Sequence, residues 1–428
     1  MIKVKFYEET NFKETMIGKI SNDWKAVELG NSRYFEILAS GIQKFDGVKW
    51  YLSTKCVEGS KIVDTEGKIT YLNRPSRANM QPILNSVWFA KMKNTIKVYC
   101  FIEKNSEEKD RYILSTGFCG IRCNERVFPL YIKQFFLFHL FNRMKDAFVT
   151  GSTQQDIKQS SVEKLVVTVS TLEEQKSIAL ILSTVDEVIE KVDKITARTE
   201  RLKKGLTQEL LTKGIGHTEY RDTPIGKIPQ AWTIEQLEQL CTTIVDCPHS
   251  TPKFTDQGVL VIRNFNIRDG KLSLEETFYT TEDEWKERTR RCIPDNGDVL
   301  FSREAPIGES CLAPKNTKFS LGQRTMLIRP KHELLDSRFL VYTFYSPIVR
   351  RQLRNLEAGV TAHHVNVADV KKLKIPLPKL LEQLKIAEIL STTDDQIDME
   401  KKEKIKLQNL KRGLMDLLLT GKVRVKVD

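Results

Sequence analysis

Three dipeptides in the second half of this 428-residue chain pair side chains able to make double hydrogen bonds: Arg263-Asn264, Ser302-Arg303 and Gln323-Arg324. The first follows the apolar run 259–262, the second ends the run Asp298-Val-Leu-Phe301, and the third follows Gly322. Arginine presents two parallel donors that match the O6 and N7 of guanine. Asn and Gln present a donor and an acceptor that match adenine, and serine suits either. Val360-Thr361-Ala-His363-His364, after Gly359, is a fourth polar segment of this kind. In the first half Arg74, Arg77, Lys91, Gln154 and Gln155 occupy comparable places. The chemistry these types suit is recognition of base edges with phosphate contacts alongside. The charge agrees: 68 Lys+Arg against 56 Asp+Glu gives a net +12, a surplus suited to a polyanion.

Signals for bond-making chemistry are missing. Gly41 to Gly47 is one residue too long for a phosphate loop and lacks the Lys-Ser/Thr ending. No Pro-Pro pair occurs, so the Asn-Pro-Pro-Tyr motif of amino-methyltransferases is absent. His363 and His364, adjacent on an extended segment, point to opposite faces. None of the eight cysteines forms a Cys-x-x-Cys pair, and Cys119-Gly-Ile-Arg-Cys123 reads as an alternating strand. Neither structural zinc nor a disulfide is expected. Residues 128–141 are too short for a membrane span and contain Lys133, Gln134 and His139, so a buried amphipathic helix is expected there. With no signal-peptide core at the amino terminus, a cytoplasmic location is expected.

The elements that must hold these residues are written twice. Ile17-Gly-Lys-Ile20 with Trp24 and Leu29 returns as Ile225-Gly-Lys-Ile228 with Trp232 and Leu237, a spacing of 208 positions (Ile17 to Ile225). Gly151 and Thr153 return as Gly359 and Thr361, and Ile181-Leu-Ser-Thr184 as Ile389-Leu-Ser-Thr392. Leu202-Lys203 and Gly205-Leu206 return as Leu410-Lys411 and Gly413-Leu414. Between these anchors identity is low, with one echo: Val87-Trp-Phe89-Ala-Lys91 resembles Val299-Leu-Phe301-Ser-Arg303. A kept frame with drifted inserts implies two modules of one shape reading different things. Recurrence of Gly151/Gly359 and Thr153/Thr361 suits a shaped turn or a phosphate contact, and the recurring Trp24 and Trp232 suit core anchors.

The frame is helical. Ile178, Leu182, Val185, Ile189 and Val192, then Leu202, Leu206 and Leu210, trace a seam; Ile386, Leu390, Ile397, Leu410, Leu414 and Leu418 trace its copy. Thr171-Leu-Glu-Glu174 reads as a capping box, and Gly214 and Gly216 as the stop. Ser183-Thr-Val-Asp186 offers an alternative cap, but the apolar phase favours one continuous helix. Each helix, roughly 40 residues and about 60 Å long, needs a partner for its stripe. The expectation is an antiparallel pair with a globular module at each end. Strand-like Val423 to Val427 is expected to pair with Ile2 to Phe6.

These residues resemble the specificity subunit of type I restriction-modification systems. The resemblance rests on Ile225-Gly-Lys-Ile-Pro229 with Trp232, on Glu174-Gln175 and Glu382-Gln383 near the helix starts, and on Leu202-Lys-Lys-Gly-Leu206 and Leu410-Lys-Arg-Gly-Leu414 near their ends. Ser21 replaces the lead-in proline in the first copy. The resemblance implies an α/β (α+β) chain: target-recognition domain 1 over 1–170, a helical spacer over 171–214, target-recognition domain 2 over 215–378, and a second spacer with a carboxy-terminal strand over 379–428. It implies a non-catalytic subunit whose partners are double-stranded DNA, two methyltransferase (modification) subunits and restriction subunits, with no membrane. It places S-adenosylmethionine, ATP and Mg²⁺ on those partners and no cofactor on this chain. A self-contained DNA-modifying enzyme and a purely structural coiled-coil scaffold are the alternatives.

Overall fold

The computed structural model describes residues 4–149, 155–248, 250–358 and 364–427. Two compact units divide the chain: unit 1 comprises 1–193 with 402–428, and unit 2 comprises 194–401. Each unit therefore holds one module, half of the helix that follows it, and half of the other long helix.

The 208-residue repeat is a repeat of hydrogen bonding. In unit 1 the lead-in strands Phe12–Thr15 and Gly18–Ser21 pair with Phe12 opposite Ser21; in unit 2 Tyr220 stands opposite Pro229. Lys25–Glu28 runs antiparallel to Val166–Val169 with Val169 opposite Lys25, and Thr233–Gln236 pairs with Lys374–Leu377 with Leu377 opposite Thr233. The chain end also closes unit 1: Val423–Val427 pairs antiparallel with Val4–Glu8, placing Val423 opposite Glu8. The two expected segments do pair, over Val4–Glu8; Ile2 and Lys3 of the expected strand lie outside the described residues.

Each module is built on two four-stranded sheets. In unit 1 one sheet has the order Val98–Phe101, Ser86–Ala90, Phe118–Cys123, Phe35–Ile37. Its counterpart in unit 2 has the order Ser310–Leu312, Val299–Ser302, Thr325–Pro330, Cys241–Asp246. The other sheet contains a parallel pair in both units, Tyr112–Ser115 beside Lys49–Leu52 and Phe319–Leu321 beside Val259–Ile262. The edges differ: Ala78–Met80 adds beside Tyr112–Ser115, whereas Phe254–Thr255 adds at the other end, beside Phe278–Thr280. Alternation sorts Phe118–Cys123 between two cores. Cys119, Ile121 and Cys123 join the cluster under the helices, and Phe118 joins a second cluster with Trp88 and Phe101. Trp24 and Trp232 are buried in the cores of their units. Burying each such side chain contributes roughly 1.5–3 kcal/mol or more.

The apolar stretch 128–141 forms two helices, Pro129–Leu137 and His139–Ala147, where one was expected. The break falls at Phe138, which is extended (φ −69°, ψ 134°) and fully buried against Phe135. Asn142 makes the break tolerable by donating its amide to the carbonyls of Phe136 and Phe138 at 2.7 and 2.9 Å.

Leu172–Lys213 and Leu380–Leu418 are uninterrupted helices. The Thr171 cap forms, its hydroxyl accepting from the Glu174 amide at 3.3 Å. The glutamate half of the expected capping box does not. Glu174 instead accepts from Arg424 Nε at 2.8 Å, Arg424 Nη2 at 3.0 Å and the Trp24 indole at 3.2 Å. Its repeat mate Glu382 accepts from the Trp232 indole at 3.2 Å and faces His217 at 2.9 Å. Gln175 and Gln383 clamp equivalent loops onto the helix starts. Gln175 accepts from the Phe128 amide and donates to the Arg126 and Ser170 carbonyls, and Gln383 does the same with Asp336, Leu334 and Pro378.

Within each unit the helix halves run antiparallel. Ile178, Leu182, Ile386, Leu390, Ile397, Leu210 and Leu418 are buried, while Val185, Ile189, Val192, Leu206 and Leu414 are half-buried. Leu202 and Leu410 depart from the expected seam, being 57% and 53% exposed. Their neighbours Lys203 and Lys411 turn inward to pair with Asp394 and Asp186, the latter at 2.7 Å. Those aspartates are also held by the module helices, Asp186 by the Gln134 amide at 2.9 Å and Asp394 by the Tyr342 hydroxyl at 2.8 Å. Asp394 is buried and Asp186 half-buried, and each has a lysine from the facing helix and a module side chain as partners. Towards the middle, charge takes over from apolar packing: Lys404 pairs with Asp193 at 2.6 Å and Lys401 with Glu200 at 2.8 Å.

Candidate nucleic-acid interface

Strand ends in unit 2 bring the sequence-predicted residues together. Arg303 follows the strand Val299–Ser302, Gln323 and Arg324 form the turn leading into Thr325–Pro330, and His364 bridges to Glu304. They line a cavity of about 350 Å³ together with Cys247 and Asn366. A smaller one of about 110 Å³ is lined by Arg263, Asn264 and Phe254 and shares Gln323 and Arg324. Thr361 and His363 lie outside the described residues.

The residues differ in what they are free to do. Ser302 is fully buried, its hydroxyl donating to the Glu304 carbonyl at 2.8 Å. Arg303 is 8% exposed, pairs with Asp246 at 2.9 Å and donates to the Val365 carbonyl at 3.2 Å. These bonds tie the turn to the strands and leave little of its side chain exposed. Its Nε, buried at the cavity wall, has no hydrogen-bond partner. Arg263 lies among three rings, with its guanidinium 4.9 Å from the centroids of Phe265 and Phe278 and 5.6 Å from Phe254. Gly322 makes room for it: a Cβ there would stand 2.8 Å from Arg263 Cγ. Asn264 donates to the Ala305 carbonyl at 3.5 Å.

Arg324 is exposed and pairs with Glu304. Its backbone is left-handed, with φ of 72°. Of the five described non-glycine residues with positive φ, the other four are Asn85, Asn94, Asp269 and Asn316, the types that tolerate this region. An arginine there costs roughly 1–2 kcal/mol. Glu304 and Asp246 carried no sequence signal, beyond Glu304 following a candidate arginine. Burial, reinforced by the Asp246 carboxylate, pushes the Cys247 thiol up, away from the thiolate a nucleophile needs.

The same scaffold in unit 1 carries different chemistry. The amide of Lys91 donates to the Gly117 carbonyl at 2.9 Å and its carbonyl accepts from Ile157 at 3.1 Å; Arg303 makes these bonds to Arg324 at 2.9 Å and from Val365 at 3.0 Å. Met92 bridges Asp156 as Glu304 bridges His364. Lys91, Met92, Gly117 and Asp156 thus stand where unit 2 has Arg303, Glu304, Arg324 and His364. Arg77 adjoins this face, its carbonyl accepting from the Thr116 amide at 2.9 Å, and is exposed. Gln155 is exposed next to Asp156, and its carbonyl accepts from the Lys93 amide. Arg74 folds over the Tyr71 ring at 4.2 Å on a separate turn. Gln154, like Gly151 and Thr153, lies outside the described residues.

A scaffold written twice, with unlike polar sets at matched positions, is the plan of a two-headed sequence-recognition protein. The family model for the type I restriction modification DNA specificity domain matches residues 37–201 and again 229–409. The chain belongs to that family and carries two copies of its domain. It is 28% identical over 443 residues to the type I restriction enzyme MjaVIII specificity subunit of Methanocaldococcus jannaschii, covering 100% of this chain and 99% of that one. It is 24% identical over 208 residues to the EcoKI specificity subunit of Escherichia coli, covering 47% of this chain and 44% of that one. Among solved structures, a chain from work on complex assembly and conformational transition of the type I R-M system aligns over 94% of this chain and 99% of its own, with a TM-score of 0.60 and 20% identity. The S subunit from M. genitalium aligns over 92% and 96%, with a TM-score of 0.54 and 12% identity. Both share the fold. Among the described residues, no helix is long and apolar enough to cross a membrane.

Proposed function

We propose that this chain is the addressing, non-catalytic subunit of a cytoplasmic type I restriction-modification complex. Each module reads one half of a split double-stranded DNA target through the residues at its strand ends. In unit 2 these are Arg263, Asn264, Gln323, Arg324 and His364, with Thr361 and His363 nearby in sequence. In unit 1 they are Arg77, Lys91 and Gln155, with Gln154 adjacent in sequence and Arg74 on a separate turn.

The long helices serve as spacer and as docking surface for two methyltransferase subunits, which restriction subunits join. Outward apolar side chains such as Leu180, Leu202 and Met399, the last 70% exposed, offer such partners contact area. S-adenosylmethionine, ATP and Mg²⁺ belong to those partners in this reading.

One observation carries the proposal: matched backbone positions hold Lys91, Met92 and Gly117 in one unit and Arg303, Glu304 and Arg324 in the other, as two readers of unlike half-sites require. The test is methylation-site mapping of the native genome with and without this chain. Loss of methylation at one bipartite sequence is expected. Unchanged methylation would refute the proposal.

A further inference from the structure

Arg324 combines three features found together nowhere else among the described residues. It is the non-Asx side chain held at positive φ, it lines both cavities, and it is paired with an acidic neighbour across the strand end. Backbone in so unfavourable a conformation is kept when the side-chain position it enforces is useful. The turn is also over-determined. The Arg324 carbonyl accepts from the Arg303 amide at 2.9 Å, Thr325 Oγ1 donates to the Gly322 carbonyl at 2.8 Å, and the Gly322 amide donates to the Ile262 carbonyl at 2.7 Å. Behind it Arg303, locked to Asp246, fixes the strand end from which Glu304 projects.

Guanidinium and carboxylate side by side match the two edges of one base pair in the major groove: arginine donates to guanine O6 and N7, and glutamate accepts from the cytosine amino group. The other unit, with Met92 and Gly117 at these positions, holds neither group.

We infer that Arg324 and Glu304 together read a single G·C base pair in the half-site of unit 2, with Arg324 on guanine and Glu304 on cytosine. The Arg324–Glu304 pair opens on binding and both partners re-form their bonds on the base pair. This rests on the DNA-addressing function proposed above and names the bases that function uses.

The test is selection of a randomised duplex DNA library by the full-length chain, comparing wild type with Arg324→Gly and Glu304→Gln. Glycine removes the guanidinium and relieves the positive-φ strain, so the unfolding midpoint of Arg324→Gly is expected to equal or exceed wild type. Wild type should enrich a bipartite sequence with an invariant G·C pair in one half. Arg324→Gly should flatten preference at that pair by about 5- to 150-fold and leave the other half unchanged. Glu304→Gln should weaken preference at the same pair. An unchanged preference in Arg324→Gly, or a uniform loss of binding across all sequences with a shallower salt dependence, would overturn the inference and leave the addressing function standing. Failure of the wild type to enrich any sequence would instead bring down the addressing function and this inference with it.

Discussion

The Trp24 indole donates to Glu174 at 3.2 Å, and the Trp232 indole donates to Glu382 at the same distance. Each bond joins a module's lead-in to the start of the helix that leaves it. The third partner has diverged: Glu174 holds buried Arg424, whereas Glu382 holds His217, about 20% exposed.

Glu174→Ala strands Nε and Nη2 of Arg424 in the core, while Glu9 and Asp23 still reach Nη1. A loss of about 3 kcal/mol is expected. Glu382→Ala removes the bonds to the Trp232 indole and to partly exposed His217 but strands no buried guanidinium, and it is expected to lose about 1–2 kcal/mol. Denaturant midpoints of the two variants check the order, and equal losses would contradict it.

Arg303→Ala removes a guanidinium that pairs with Asp246 and donates to the Val365 carbonyl, so unit 2 is expected to lose roughly 1–3 kcal/mol. This appears as a lowered denaturation midpoint before any change in sequence preference is measured. A fully stable variant would return Arg303 to the candidate base readers.

Removal of residues 421–428 deletes the strand paired with Val4–Glu8 and the Arg424 cluster. A loss of at least about 3 kcal/mol, or roughly 6–12 °C in the melting temperature of a unit this size, is expected. An unchanged melting temperature would mean that the closure contributes nothing.

Glu9 accepts from the Asn11 amide, the Ser21 hydroxyl and the Thr10 amide, and its carboxyl is held down at about 2 from an ordinary 4.5. Its folded value lies below its unfolded one, so its stabilising effect is complete above pH 4.5 and drains away as pH falls towards 2. Glu9→Gln should therefore lower the midpoint near pH 6, and the gap from wild type should close with acidification below pH 4.5. A gap constant across that window would show that Glu9 acts through shape alone.

Four residues inserted into each long helix add about one turn, roughly 5.4 Å. The gap between methylated half-sites is expected to lengthen by one to two base pairs at about 3.4 Å each. Methylation mapping with an unchanged gap would exclude the helices as the ruler.

The duplication, both long helices, the closing strand and the polar strand ends were all readable in residue order, because spacing and apolar period are local quantities. Where Leu202 and Leu410 were expected inside, Lys203 and Lys411 took the place, because the module helices bring Gln134 and Tyr342 to the same aspartates and no single helix carries that information. The Phe138 break was hidden for a similar reason, since Asn142 satisfies the freed carbonyls only once the chain has turned.

By itself the sequence determined that one module-and-helix plan occurs twice and that the two inserts differ in polar chemistry. Only the tertiary structure decided which polar residues are available. Arg303 and Arg324 look alike in sequence, but Asp246, 57 residues away from Arg303, buries one, while a left-handed turn presents the other. Burial and pairing depend on contacts between distant segments, and those exist only after folding.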